Sequence, residues 1–292
     1  MKYPILHLDL NIEKYDTPDS LDNILDKSLT AWEKLYGAEP SERSFSLRFA
    51  GIIERACKQA GQRVVILVDE YDKPMLQAIG NEELQRQFRN ALKPFYGALK
   101  TMDGCIKFAF LTGVTKFGKV SVFSDLNNLD DISMRKDYVE LCGVSDRELH
   151  DTLDAELHEF ADVRGVTYDK LCAELKECYD GYHFTHNSIG MYNPFSLLNA
   201  FKYKEFGSYW FETGTPTYLV SLLKKHHYDL ERMAHEETDA QVLNSIDSES
   251  TNPIPVIYQS GYLTIKGYDE EFGIYRLGFP NREVEEGFVR FY

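Results

Sequence analysis

The run Val64-Val-Ile-Leu-Val-Asp69-Glu70-Tyr71-Asp72 limits the possible folds more than any other stretch: an unbroken, mostly β-branched apolar strand runs straight into carboxylates. Such a strand is stable only when neighbouring strands satisfy its backbone and other elements cover its side chains, and in open α/β sheets the C-terminal strand ends open onto the ligand crevice. The acids therefore fall where an α/β protein places its chemistry. A strand that merely ends in solvated acids is the plain alternative.

Two further short apolar runs fit the same sheet. Tyr3 to Leu10 and Ile106 to Leu111 are rich in β-branched or aromatic residues and are separated from Val64 to Val68 by long segments of helical character. Ser20 to Tyr36 and Ser46 to Ala60 space their apolar residues helically, and Gly61 supplies a stop for the second. The resulting β-α-β-α-β series predicts a largely parallel sheet with helices on both faces. From about Ser145 the pattern turns to amphipathic helices, Arg147 to Ala161 and Tyr168 to Tyr179, with breaks at Gly165, Gly181 and Pro194. Gly261 to Lys266 and Gly273 to Leu277 then read as a hairpin, and Asn281 as the cap of a helix through Val284 and Phe288. Helix, hairpin and helix in that order suggest a winged-helix-like end. The expected divisions are a core over 1–140, a helical region over 141–240 and the terminal module over 241–292.

Composition narrows the function classes. A net charge of −15 opposes broad attraction to nucleic acid, which needs clustered Lys and Arg, so any such contact has to be local. No window approaches the roughly 18 apolar residues of a membrane span, no secretory leader is recognisable, and a cytoplasmic address is expected. Five scattered cysteines, never spaced C-x-x-C, argue for reduced thiols rather than a disulfide framework or a zinc site.

Paired acids at a strand end suit phosphoryl transfer. In that chemistry Asp69 would hold a nucleotide-bound Mg²⁺ through its waters, and Glu70 would orient or deprotonate the attacking water. Thr112, at the end of the Ile106 to Leu111 strand, could reach the same water or the γ-phosphate from the next strand. Gly113-Val-Thr-Lys-Phe-Gly118-Lys119-Val120 nearly matches the phosphate loop G-x-x-x-x-G-K-[ST], but Val120 replaces the metal-binding hydroxyl. The β-branched, turn-like residues after it make a poor first helical turn to meet phosphate. Lys116 and Lys119 are better read as cations approaching phosphate. His183, His186, His226 and His227 lack the carboxylates that would specify a metal. Glu174 and Lys176 have the E-x-K spacing of metal-dependent nucleases, yet they fall in a helical pattern where a solvated face is expected.

Taken together, Leu67-Val-Asp-Glu-Tyr-Asp-Lys-Pro-Met75, Leu111-Thr-Gly-Val-Thr-Lys-Phe-Gly-Lys-Val-Ser121, Phe123-Ser-Asp-Leu-Asn-Asn-Leu-Asp-Asp-Ile-Ser133, Tyr179-Asp-Gly-Tyr-His-Phe184 and Tyr192-Asn-Pro-Phe195 form a specific set. So do Tyr3-Pro-Ile-Leu-His-Leu, Trp210-Phe-Glu-Thr-Gly-Thr-Pro216 and Tyr258-Gln-Ser-Gly-Tyr-Leu-Thr-Ile265. With these the chain resembles the bacterial AAA-ATPase-like proteins whose ATPase domain is commonly followed by a PD-(D/E)XK nuclease-superfamily domain. The resemblance implies a P-loop NTPase-like α/β core, with Asp69 and Glu70 as Walker B acids and Thr112 to Ser121 as the sensor region, then a helical segment and a winged-helix-like end. It also implies ATP and Mg²⁺ as ligands, and a Pro-Arg-Arg-Phe-Gly-Lys-Ser-type phosphate loop ahead of the first strand. No such loop occurs in these residues, so the chain is expected to be the part after the P-loop and before the nuclease, lacking the first β-P-loop-α unit and inactive towards ATP by itself. The competing expectation is a non-catalytic module that binds a protein or nucleic acid through its C-terminal part.

Overall fold

The computed structural model describes residues 2–116, 122–123, 126–214, 233, 235–244 and 252–291. The chain divides into two compact units, Met1–Asp130 with Asn244–Ser250, and Asp131–Leu243 with Thr251–Tyr292.

The first unit is built on three parallel strands, β1 (Ile5–Asp9), β2 (Val64–Asp69) and β3 (Ile106–Leu111), in the order β1-β2-β3. The acidic strand is thus the central one, bonded on both edges. Leu6↔Ile66 and Val68↔Leu111 fix its register. Between the strands lie α1 (Pro18–Tyr36), α2 (Phe45–Ala60), the short α3 (Lys73–Gln77) and α4 (Glu82–Thr101).

Local chemistry sets the helix limits. Pro18 occupies the first turn of α1, where its missing N–H costs nothing. Ser44 Oγ accepts from the Leu47 N–H to open α2, and Gly61, at φ 60°, closes it in the left-handed region. Asn81 Oδ1 caps α4 through the Leu84 N–H at 3.1 Å. The helices pack through a stack of Trp32, Phe49 and Phe95, with ring centroids 5.8 and 4.5 Å apart. Arg48 clamps α1 to α2 by a fork on Glu33 at 2.7 and 2.8 Å.

Burial alternates along the strands. Leu6, Leu8, Val64, Ile66 and Val68 are buried, while Ile5 and His7 are exposed and Phe108 is 53% exposed. Helices were expected on both sheet faces; among the described residues one face is buried and the other is partly exposed. The continuous apolar run of β2 concealed this, because Val65 and Leu67 on the second face are half-buried rather than polar.

In the second unit, β4 (Val144–Ser145) leads into α5 (Asp146–Arg164), where Ser145 and Glu148 form a reciprocal capping box. α6 (Tyr168–Tyr179) follows, then β5 (Met191–Tyr192), α7 (Pro194–Tyr203) and α8 (Tyr209–Gly214). The expected break at Pro194 coincides with a helix boundary: Pro194 opens α7, with Asn193 Oδ1 accepting from the Phe195 and Ser196 N–H groups. Leu149, Leu157, Phe160, Leu171, Leu175 and Tyr192 make the helical core.

The C-terminal part contains β6 (Glu237–Asp239), α9 (Ala240–Leu243), α10 (Ile254–Gln259), β7 (Thr264–Asp269), β8 (Ile274–Gly278) and α11 (Arg282–Phe291). Its strands form an antiparallel sheet in the order β6-β8-β7. Asn281 Oδ1 accepts from the Val284 N–H at 3.2 Å, the expected cap of the last helix. Among the described residues no helix is long and apolar enough to cross a membrane.

Truncating Phe49 removes the middle ring of the aromatic stack, so Phe49→Ala is expected to lower stability by about 3–5 kcal/mol in urea denaturation.

Candidate functional site

Because β2 is paired on both sides, its C-terminal end opens onto a rim shared with the ends of β1 and β3. The register sets Asp9 of β1 opposite Asp69, and the Thr112 N–H donates to Val68 O at 2.9 Å. Thr112 Oγ1 then donates to Asp69 Oδ1 at 2.6 Å, and the Glu70 N–H donates to the same oxygen at 3.1 Å. Among the described residues both hydrogen bonds on Asp69 fall on Oδ1, so one carboxylate oxygen is fixed by protein donors. The sequence-predicted trio Asp69, Glu70 and Thr112 therefore comes together at one rim.

Glu70 makes the exit from the strand. Its φ is 56°, in the left-handed region that a side chain with a Cβ rarely occupies, at a cost on the order of 1–2 kcal/mol. The turn is held by the Tyr71 N–H donating to Thr112 O at 3.0 Å and the Lys73 N–H donating to Glu70 O at 3.0 Å. Burial, then the neighbouring Asp72 and Asp69, push the Glu70 carboxyl above its ordinary value, against an opposing pull from Lys73. A carboxyl shifted in this direction moves towards the range a general base needs near neutrality.

Asp72 stands behind the rim, with only 1% of its surface exposed. It accepts from the Val114 N–H at 3.2 Å, the Thr115 N–H and the Thr115 hydroxyl. Burial raises its pKa while these donors oppose the rise. Tyr71 OH donates to Thr115 O at 2.8 Å, so two consecutive residues after Glu70 grip the segment that follows β3. Gly113 is required here because a Cβ would collide with the Asp72 carboxylate and crowd the Tyr71 ring. The glycine that opens the near-phosphate-loop is thus explained by a buried carboxylate approaching closely.

Lys73 donates to Asn11 O at 2.8 Å and to Asn11 Oδ1 at 2.5 Å, placing a cation beside the acids. Sequence reasoning missed Asp9, Asn11, Lys73 and the anchoring role of Asp72. The only signal for them was polarity at the ends of apolar strands, since the contacts join residues 42 to 62 positions apart. Lys116 donates to Asn244 Oδ1 at 2.8 Å. Lys119, the other predicted phosphate-side cation, lies outside the described residues, as do His226 and His227.

The remaining candidates separate from this rim. Glu174 and Lys176 are on a helix, α6, where Glu174 pairs with Arg164 at 3.3 Å and Lys176 lies 3.9 Å from Asp180. Those residues are thus not the strand-borne E-x-K of a nuclease. His183 Nδ1 meets Ser188 O at 2.9 Å, and His186 stacks on Tyr268. Among the described residues no three His, Cys, Asp or Glu side chains form a group able to hold a metal ion by themselves.

Two measurements test the rim. Asp72→Ala leaves the Val114 and Thr115 N–H groups without their acceptor and is expected to cost about 1–3 kcal/mol or more. Gly113→Ala alone is expected to cost about 1–3 kcal/mol by overpacking, and less in the Asp72→Ala background, where the clashing carboxylate is gone. Equal cost in both backgrounds refutes the close-approach account. For Glu70, the folded chain keeps a proton at pH values where the unfolded chain, with its ordinary value near 4.5, has lost it. That contribution is full below the ordinary value and disappears as pH rises through the raised one. Wild-type stability, measured relative to Glu70→Gln, should therefore fall as pH rises above the ordinary carboxyl value and level off once the raised one is passed. A difference that is flat or rises with pH contradicts the assigned shift.

Residues 1–123 match the family model described as "AAA-ATPase_like: Predicted AAA-ATPase". An uncharacterized protein in the vnfD 5′ region of Azotobacter chroococcum mcd 1 is 36% identical over 287 residues, which cover 97% of this chain and 53% of that protein. The chain thus spans about half the length of this relative. The acidic central strand lies inside the matched segment, so the similarity to the AAA-ATPase-like family covers residues 1–123 and includes the rim.

Proposed function

We propose that the rim formed by Asp69, Glu70 and Thr112 is the metal- and water-handling side of an ATP site, in a P-loop NTPase-like core whose phosphate loop is supplied by polypeptide outside these 292 residues. The observation that carries this reading is the Thr112 hydroxyl bonded to Asp69 Oδ1 at the end of a central parallel strand. The donors here are hard oxygens, as Mg²⁺ requires, and one or two carboxylates suffice for a metal whose other ligands are water and phosphate. Asp69 would hold the ion, which when bound would offset charge on the phosphoryl oxygens. Thr112 fixes the Asp69 rotamer. Glu70 would orient the attacking water and take up its proton, with burial supplying the raised basicity. Lys116 and Lys119 would serve the phosphates.

The 292 residues contain no complete G-x-x-x-x-G-K-[ST] stretch, the motif that joins an amide cradle to its own lysine and metal-binding hydroxyl. Calorimetry on this chain with Mg·ATP should give no binding tighter than about micromolar, and no hydrolysis. Joined to a polypeptide that brings a phosphate loop, it should hydrolyse ATP, and Glu70→Gln should lower turnover by about 10²-fold or more while leaving nucleotide binding in place. Tight binding by this chain alone, or turnover unaffected by Glu70→Gln, would overturn the assignment.

A second reading rests on the C-terminal hairpin. β7 and β8 join through a turn in which Asp269 Oδ1 accepts from the Glu271 and Phe272 N–H groups, leaving Phe272 exposed at the tip. We read residues 241–292 as a winged-helix-like module, next to a helical region over 141–240, in a cytoplasmic protein. It suits a protein partner better than nucleic acid, because Asp269, Glu270 and Glu271 surround the tip and Arg282 is bound to Glu177 at 3.2 Å.

A further inference from the structure

The sheet of the second unit carries a pocket of about 570 Å³ that neither the family match nor the rim accounts for. Lys266 and Arg276 bring cations to it, His235 an imidazole, Glu237 and Glu285 carboxylates, and Phe279 and Leu277 add apolar wall. Its volume is that of a small-ligand site.

Two backbone features build its cationic side. The register of β7 against β8 slips between Ile265 and Gly267, so Lys266 sits in a bulge, outside the regular ladder. Bulges re-aim a side chain that strict alternation would place elsewhere. Next to it, Gly267 faces Arg276 across the pair, and a Cβ there would come within 2.6 Å of Nη2 and 2.9 Å of Nε. The missing side chain lets the guanidinium lie across the strand.

These cations are otherwise little used. The Arg276 guanidinium makes no hydrogen bond or ion pair among the described residues, although Glu237 is its register partner on β6. Among the described residues Lys266 Nζ donates to Pro280 O at 3.2 Å. A planar fork beside an ammonium matches a phosphate oxyanion, while carboxylates on the same pocket accept from hydroxyl groups and repel a polyphosphate backbone.

We propose that this pocket binds a small phosphate monoester bearing hydroxyl groups, of sugar-phosphate size, with Arg276 and Lys266 on the phosphate and Glu237 and Glu285 on the hydroxyls. The proposal is independent of the ATP reading. Its test is calorimetry of the full chain with ribose 5-phosphate, inorganic phosphate and a short DNA duplex. Ribose 5-phosphate should bind at about millimolar or tighter, and at least about tenfold tighter than inorganic phosphate. Arg276→Gln should weaken it by about tenfold or more. Gly267→Ala, which changes no charge but displaces the guanidinium, should weaken it as well, and thermal unfolding of both variants verifies that they fold. Four results each overturn the proposal: no ribose 5-phosphate binding, binding no tighter than inorganic phosphate, binding indifferent to both substitutions, or preference for the duplex.

Discussion

A strand bonded on both edges cannot turn aside within the sheet; the chain must leave at its end, and the exit has to satisfy polar groups there. In this protein β2 is that strand, and the constraint is met by crowding acids into the exit. Asp72 takes the backbone donors of the segment after β3, Asp69 takes the Thr112 hydroxyl, and Glu70 absorbs the backbone bend. Gly113 follows from this, since the buried carboxylate leaves no room for a Cβ. One covalent feature, an apolar strand that runs directly into carboxylates, therefore dictates the rim, its strain and the loop beyond it.

The same feature explains what could be read without coordinates. β-branched apolar runs and helix caps act locally, so the three strands, the end of α2 at Gly61, the whole of α6 and the Asn281 cap were legible. Sheet faces were not, because a half-buried face in a parallel sheet can be filled with Val and Leu as easily as a buried one. Pro194 marked a helix boundary, but proline both ends and begins helices, and the capping bonds of Asn193 show that here it begins one.

Within the candidate site, adjacency was easier to anticipate than purpose. Asp69 and Thr112 lie at the ends of consecutive parallel strands, so topology alone brings them together. The grip of Asp72 on Thr115 spans 43 positions and depends on a turn whose left-handed residue is a glutamate, not the glycine that would advertise it. Lys73 is comparable, since its partner Asn11 lies 62 positions away, beyond another strand end. Contacts of this kind have no periodicity for a sequence to display.

Electrostatics at the rim gives these placements a direction. Burial first, then Asp72, Asp69 and Asp9, raise the cost of charge on Glu70, and the nearby Lys73 opposes them. Such crowding disfavours the folded state whenever all the acids are ionised, yet the rim keeps them, and the strained Glu70 backbone adds to the cost. A cation entering there would lower the energy of several carboxylates together, and by linkage would stabilise the folded unit to the same extent. The gain would be smaller for a row of solvated surface acids, each screened separately by water.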